Sequence, residues 1–235
     1  MKKRYKVVIV EGIIGAGKSS VCKELGRALG PDTLMMLEPD EKEGANPYLA
    51  DFYGNQNRWA FTMQVHLLQA RYAMQLNAQW HVLSGNGHAV LDRSYFGDTC
   101  FARLQLKNGA LGEREFQTYS SIYHNMTSSV MLPSIMVRLL VAPEIAHQRI
   151  QRRMQDETGR VCESTIPLKY LKDLDAEISR MAAILRTQGV TVIDIPWDVD
   201  RDTTESREVA VMSLAARIAE QEPLDDFLDL HRRTL

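Results

Sequence analysis

Short apolar runs rich in β-branched residues recur at Val7–Val10, Leu34–Leu37, Ala89–Leu91, Ile135–Val141 and Val190–Ile195. Runs of this length without polar alternation predict strands buried on both faces, as in parallel sheets covered by helices. The longer stretches between them carry apolar residues at helical spacing. Val21–Leu29 follows the first run, and Asn57–Leu83 presents Phe61, Val65, Leu68 and Tyr72 before stopping at Ser84-Gly85-Asn86-Gly87. Glu113–Val130 predicts another helix, with Leu132-Pro133 handing over to the fourth strand. Pro167 opens a helix that runs to about Thr187, ahead of Gly189, and Thr203–Ala219 makes a further one. The tail carries Asp225, Asp226 and Asp229 among apolar partners. This alternation predicts an α/β fold, a five-stranded parallel sheet flanked by helices, in one domain over residues 1–235.

Composition narrows the function classes. The 235 residues are 45% hydrophobic and 25% charged, enough for one ordinary core. The net charge of −2 supplies no bulk positive field for nucleic acid, so the expected partners are small molecules. Cys22, Cys100 and Cys162 are odd in number and widely spaced, the pattern of reduced thiols in a cytosol-like compartment. The basic start Met1–Lys6 precedes only four apolar residues, too few for a signal peptide. No run approaches the roughly 18 apolar residues of a membrane span, so a cytoplasmic protein is expected. None of the histidines shows metal-ligand spacing.

Candidate chemistry collects where the strands end, which is where open parallel sheets bind ligands. Gly12-Ile13-Ile14-Gly15-Ala16-Gly17-Lys18-Ser19, followed by Ser20, satisfies G-x-x-x-x-G-K-[ST] between a strand and a helix. Its glycines let backbone N–H groups face phosphates, Lys18 reaches the β- and γ-phosphates, and the Ser19 hydroxyl ligates Mg²⁺. The second strand ends in Glu38-Pro39 and the third in Asp92-Arg93-Ser94. Phosphoryl transfer needs an in-line acceptor, a proton acceptor and charge neutralisation, and Glu38, Arg93 and Asp92 are the candidates. The alternative for Glu38-Pro39 is a turn with a solvated acid. Arg149 and Arg153, spaced i and i+4, share a helix face and can close over phosphates as a lid. A solvated face paired with Asp156 and Glu157 is the alternative there. Phe61 and Phe101 sit in apolar helical stripes and read as core rather than as base-stacking residues.

Taken together, these motifs resemble the deoxynucleoside kinase family. The resemblance is carried by Glu11–Ser19, Glu38-Pro39, Arg58-Trp59-Ala60-Phe61-Thr62-Met63-Gln64 with Arg71, Asp92-Arg93-Ser94, and an arginine-rich stretch leading to Ile166-Pro167-Leu168-Lys169-Tyr170-Leu171. Asn46-Pro47-Tyr48-Leu49, Phe52-Tyr53, Gly97-Asp98 and Phe101-Ala102 are similar to the bacterial and viral deoxyadenosine and deoxyguanosine kinase branch. The resemblance implies a P-loop kinase fold with an Arg-rich lid at about 149–165, ATP as donor with Mg²⁺ held through Ser19 and Asp92, and a homodimer. It implies Glu38 as general base, Arg93 beside the 5′-oxygen, and Gln64 on the base edge. Tyr53 and Glu163 would hold the sugar 3′-hydroxyl, and Arg71 with Asp98 would fill the space a thymine methyl needs. Arg160 is a further lid candidate.

The expected reaction is ATP-dependent phosphorylation of a deoxynucleoside 5′-hydroxyl, with purine deoxynucleosides or deoxycytidine favoured over thymidine. A thymidylate-kinase-type nucleoside monophosphate kinase is the nearest alternative. Its acceptor phosphate would want an arginine where Glu38 stands. A catalytically silent nucleotide-binding partner subunit is the other, and intact Lys18, Ser19, Glu38, Asp92 and Arg93 speak against it.

Overall fold

The computed structural model describes residues 5–38, 46–156, 166–198 and 204–221, with the side chains of 154–156 and 204–205 excepted. Five strands, β1 (Val7–Glu11), β2 (Leu34–Met36), β3 (Ala89–Asp92), β4 (Ile135–Leu140) and β5 (Thr191–Pro196), pair in parallel in the order β2-β3-β1-β4-β5. β1 is the centre and is buried at every residue. It pairs with β3 on one side, Val10 opposite Asp92, and with β4 on the other, Glu11 opposite Arg138. From β1 the chain passes to the edge strand β2, returns to β3 beside β1, then crosses to β4 and β5 on the other side, so the crevice at the strand ends opens beside β1.

The helices follow from the sequence pattern with two additions. α1 (Lys18–Leu29) sets Val21, Cys22 and Leu25 into the core, and α3 (Gln56–Leu83) runs 28 residues from an Asn55 cap. α5 (Glu113–Thr127), α7 (Leu168–Thr187) and α8 (Thr204–Glu220) fall where periodicity places them, and α6 (Pro143–Asp156) carries the lid arginines. The sequence reading did not mark out α2 (Leu49–Gly54), a helix of six residues and too short to show a period, or α4 (Tyr95–Lys107) as an element. α4 starts inside the Asp92-Arg93-Ser94 motif: its N-cap Ser94 accepts from Gly97 N–H at 2.9 Å. The helix expected to reach Val130 ends at Thr127, because Ser129 and Val130 turn back onto Met126 and Thr127. Pro39, Arg160, Cys162, Glu163 and the acidic tail lie outside the described residues.

Two buried polar devices tie the layers. On α3, Gln79 donates to Ser129 O at 2.9 Å and accepts from Met131 N–H at 2.9 Å, while Gln75 donates to Met131 O at 3.2 Å. These amides supply partners that the main chain of this half-buried connection does not find in a sheet or helix. Lys6, 4% exposed, donates to Ile218 O at 2.6 Å and Ala219 O at 3.0 Å, placing its charge on the C-terminal carbonyls of α8. No helix among the described residues is long and apolar enough to cross a membrane.

Lys6→Met keeps the aliphatic stem and removes both charged hydrogen bonds. We expect a loss of about 2–3 kcal/mol in urea unfolding, with faster amide exchange at the end of α8.

Candidate active site

The loop leaving β1 is built from backbone that cannot carry side chains. Gly15 (φ 81°) and Gly17 (φ 87°) lie in the left-handed region, and a Cβ on Gly15 would stand 2.6 Å from Ala146 O. This close approach lets the loop wrap into the N-terminus of α1. Lys18 folds back to donate to Ile13 O at 3.1 Å. Burial, reinforced by the positive charge of Arg93, lowers its pKa to about 8 against the opposing pull of Asp92, Glu38 and Glu11.

β3 delivers the next pair. Asp92 is 2% exposed, and its Oδ2 accepts the Ser19 hydroxyl while its Oδ1 has no partner among the described residues. Burial raises its pKa, with Glu38 adding to the shift and Lys18 opposing it. Two oxygens of this kind at the phosphate end fit Mg²⁺, which takes one or two protein oxygens and completes its shell with phosphate and water. Among the described residues no cluster of three or more His, Cys, Asp or Glu offers a metal site made of protein alone.

Arg93 adopts φ 66°, the only non-glycine described residue at positive φ. Such a backbone is strained and persists only where its surroundings hold it. Three contacts do so: its N–H donates to Val10 O at 3.0 Å, Nη1 to Gly12 O at 3.3 Å, and Nε to Glu38 Oε2 at 2.7 Å. The next residue is pinned as well, Ser94 Oγ donating to the buried Glu11 Oε1 at 2.6 Å. The guanidinium thus spans the phosphate loop and Glu38.

Glu38 is held from both sides, its Oε1 accepting from Arg71 Nη2. Partial enclosure raises its pKa, but Arg93, Arg71 and Lys18 outweigh that and bring it down to about 2. Arg71, 3% exposed, continues to Asp98 Oδ1, and Asp98 Oδ2 accepts Gln64 Nε2 at 2.8 Å and the Tyr119 hydroxyl at 2.6 Å. Gln64 Oε1 in turn accepts Gln105 Nε2 at 2.9 Å. Phe101 lies beneath both guanidiniums, 4.7 Å from Arg93 and 5.3 Å from Arg71.

These residues enclose one cavity of about 290 Å³. Gly15, Lys18, Ser19, Asp92, Arg93 and Arg153 line it at the phosphate loop. Glu38, Tyr53, Gln64 and Arg71 line it beyond them, and Asp98 stands behind, fully buried. Gly12, Ala16, Gly17 and Ser20 belong to the loop but not to the cavity wall. Arg149 also stands off the wall: its Nη2 donates to Trp197 O at 2.9 Å and Asp198 O at 3.1 Å, tying α6 to the segment after β5. The pair at i and i+4 is therefore split, Arg153 on the cavity and Arg149 on that segment. Phe101, read from sequence as core, lines the cavity, whereas Phe61 packs on the core away from it. Sequence reasoning gave no site role to Gln105, Asn46, Tyr119 or Tyr170. Gln105 is visible only as a polar position inside an apolar helix, and Tyr119 lies on a separate helix whose contact with Asp98 no local pattern encodes.

With this geometry in hand, comparison with known proteins is specific. A model of the deoxynucleoside kinase family matches residues 8–218. A deoxyguanosine kinase from Dictyostelium discoideum is 35% identical over 193 residues, 82% of this chain and 64% of that protein. A deoxyadenosine kinase from the same organism is 29% identical, covering 80% of this chain and 74% of its own length. The chain therefore spans a little under two thirds of the first of these relatives. A solved deoxyadenosine kinase from M. mycoides with bound dCTP superposes with a TM-score of 0.69 at 22% identity, covering 89% of this chain and 99% of that one. The chain belongs to the deoxynucleoside kinase family, whose named members are kinases and hence transferases.

Gly97→Ala tests the pin beneath Arg93. Helix propensity alone would make the variant about 1 kcal/mol more stable. The new Cβ would stand 2.3 Å from Glu11 Oε1, and overpacking of that kind costs about 1–3 kcal/mol. We expect a net loss of stability in urea unfolding; a gain would show that Glu11 moves aside freely.

Proposed function

We propose that this protein transfers the γ-phosphoryl group of ATP to the 5′-hydroxyl of a deoxynucleoside, yielding the 5′-monophosphate. The observation that carries this reading is Glu38, a carboxylate held by two guanidiniums in the same cavity as Lys18 and Ser19. A phosphate loop alone indicates only a bound triphosphate, whereas a carboxylate at the acceptor end suits a neutral hydroxyl and repels an acceptor phosphate. The names of the relatives, deoxyguanosine and deoxyadenosine kinase, support the same acceptor class.

In this reading the backbone of Gly12–Gly17 cradles the donor phosphates while Lys18 and Arg153 neutralise charge on the transferring group. Ser19 and Asp92 would hold Mg²⁺, which when bound would supply Lewis-acid withdrawal of charge from the donor phosphates. Glu38 accepts the 5′-hydroxyl proton. At a pKa of about 2 it is a weak base in the ligand-free site. A phosphate drawing Arg93 toward itself loosens one of its two ion pairs and raises its basicity as the acceptor arrives. Tyr53, on the cavity wall, is assigned to the sugar; Glu163, the other residue that the family resemblance assigns there, lies outside the described residues. Gln64, Arg71 and Asp98 form the base end, favouring purine deoxynucleosides or deoxycytidine over thymidine.

The decisive assay offers ATP and Mg²⁺ with each of the four deoxynucleosides and with deoxyadenosine monophosphate. Consumption of deoxynucleosides supports the proposal, and consumption of the monophosphate alone overturns it. Glu38→Gln is expected to lower kcat by about 10²–10⁴ with little change in KM for ATP. An unchanged kcat would remove Glu38 from the proton transfer.

The pH dependence carries a second expectation. Lys18, with its pKa near 8, loses its charge as pH rises through that value, so kcat/KM for ATP falls above about pH 8. Bound phosphates raise that pKa, moving the same limb to higher pH in kcat at saturating ATP. Glu38 stays ionised well below neutrality and contributes no acid limb above about pH 4. Kinetic profiles between pH 5 and 10 test both statements.

A further inference from the structure

The cavity wall contains an acceptor that nothing in the described chain satisfies. Gln105, near the end of α4, is 3% exposed and lines the cavity, and its Oε1 is shielded from water with no hydrogen-bond partner among the described residues. Its orientation follows from a chain of donors that starts at a carboxylate. The two oxygens of Asp98 accept from Arg71, Gln64 and Tyr119, so the nitrogen of the Gln64 amide must face Asp98. Gln64 Oε1 is then turned toward Gln105 and takes its Nε2 at 2.9 Å. Reversing Gln105 would set two carbonyl oxygens against each other. The free oxygen of Gln105 is therefore locked as an acceptor, and Gln64 has both ends of its amide engaged within the protein. A buried acceptor with no partner is destabilising, and a ligand N–H would relieve it.

We propose that Gln105 Oε1 accepts the exocyclic amino group at C6 of adenine or C4 of cytosine, which makes Gln105 a specificity-determining residue for deoxynucleosides of those two bases. The proposal rests on the deoxynucleoside kinase reading above. In the pose that offers the adenine or cytosine amino group to Oε1, thymine sets O4 there, as guanine sets O6, and meets Oε1 acceptor to acceptor. Selection against it then arises from an unpaired buried oxygen in addition to the space taken by Arg71 and Asp98. A site built to pair a substrate N–H rejects the analogue lacking it more strongly than a merely tight apolar pocket rejects a misfit.

The test removes the amino group from the ligand and the acceptor from the protein. Wild-type protein is assayed with ATP and Mg²⁺ on deoxyadenosine against purine 2′-deoxyriboside, and on deoxycytidine against pyrimidin-2-one 2′-deoxyriboside. For the better of the two natural substrates, replacing the amino group by hydrogen is expected to lower kcat/KM about tenfold or more. In Gln105→Leu, and in Gln105→Met with its more similar length, that ratio falls to within about twofold because the amino group has lost its partner. Thermal melting establishes that each variant is folded. A wild-type ratio within about twofold overturns the proposal, as does a wild-type-like ratio in a folded variant. Should neither variant fold, the wild-type ratio decides. Wild-type protein that phosphorylates no deoxynucleoside overturns the kinase reading and this proposal with it. Robust phosphorylation without amino-group discrimination overturns the Gln105 assignment alone.

Discussion

The site depends on the buried guanidinium of Arg71. It joins Glu38, paired on its other side with Arg93, to Asp98, which also accepts from Gln64 and Tyr119. Removing one member of such a cluster strands the others as uncompensated buried charges, a cost of about 3–5 kcal/mol where it has been measured in buried pairs. With Arg93 included, two guanidiniums balance two carboxylates, so the cluster is neutral although it lies in the protein interior. That balance keeps Glu38 ionised despite its enclosure, and Asp98 can then orient the Gln64 amide. Gln64, Asp98, Arg71 and Glu38 are consequently one electrostatic unit, so under the proposed function a change of base contact reaches the carboxylate assigned to the 5′-hydroxyl.

The elements that hold this unit differ in how openly the sequence announces them. The five strands were legible because each is a short apolar run buried on both faces, and their polar termini mark the ligand crevice. The phosphate loop, Glu38 and the Asp92-Arg93 pair were legible for the same reason: they follow apolar runs directly. α4 was harder to see because its first turn carries Ser94 and Asp98, whose polarity serves a cap and a site. On α3 the buried face includes Gln64, Arg71, Gln75 and Gln79, which breaks the apolar stripe that a periodicity reading looks for. Gln105 and Tyr119 lay beyond the reach of local pattern altogether, because each acts through a partner on another helix. The separation of Arg149 from Arg153 was likewise invisible: equal helical phase places two arginines on one face, but only the chain after β5 determines what each one meets.

Strain and burial concentrate at the same strand ends. Arg93 is held in a left-handed backbone by hydrogen bonds from β1, the phosphate loop and Glu38, and Ser94 beside it is pinned to Glu11. Lys18 loses much of its proton affinity to enclosure. Each of these groups is worse off alone than in water, and each is improved by arriving phosphate charge. Lys18 and Arg93 thus hold positive charge in fixed positions at the phosphate loop, the signature of electrostatic preorganisation.

The connection between α5 and β4 obtains its hydrogen bonds from Gln75 and Gln79, about fifty residues earlier in the chain. Ser129 and Met131 are gripped only through their main-chain atoms, so their own side chains are spared that duty. The rules for this turn are therefore written in a helix. Variation at the exposed Ser128 and Ser129 should be forgiven, while two glutamines one helical turn apart on α3 should not, an inheritance pattern that inspection of the turn alone would never suggest.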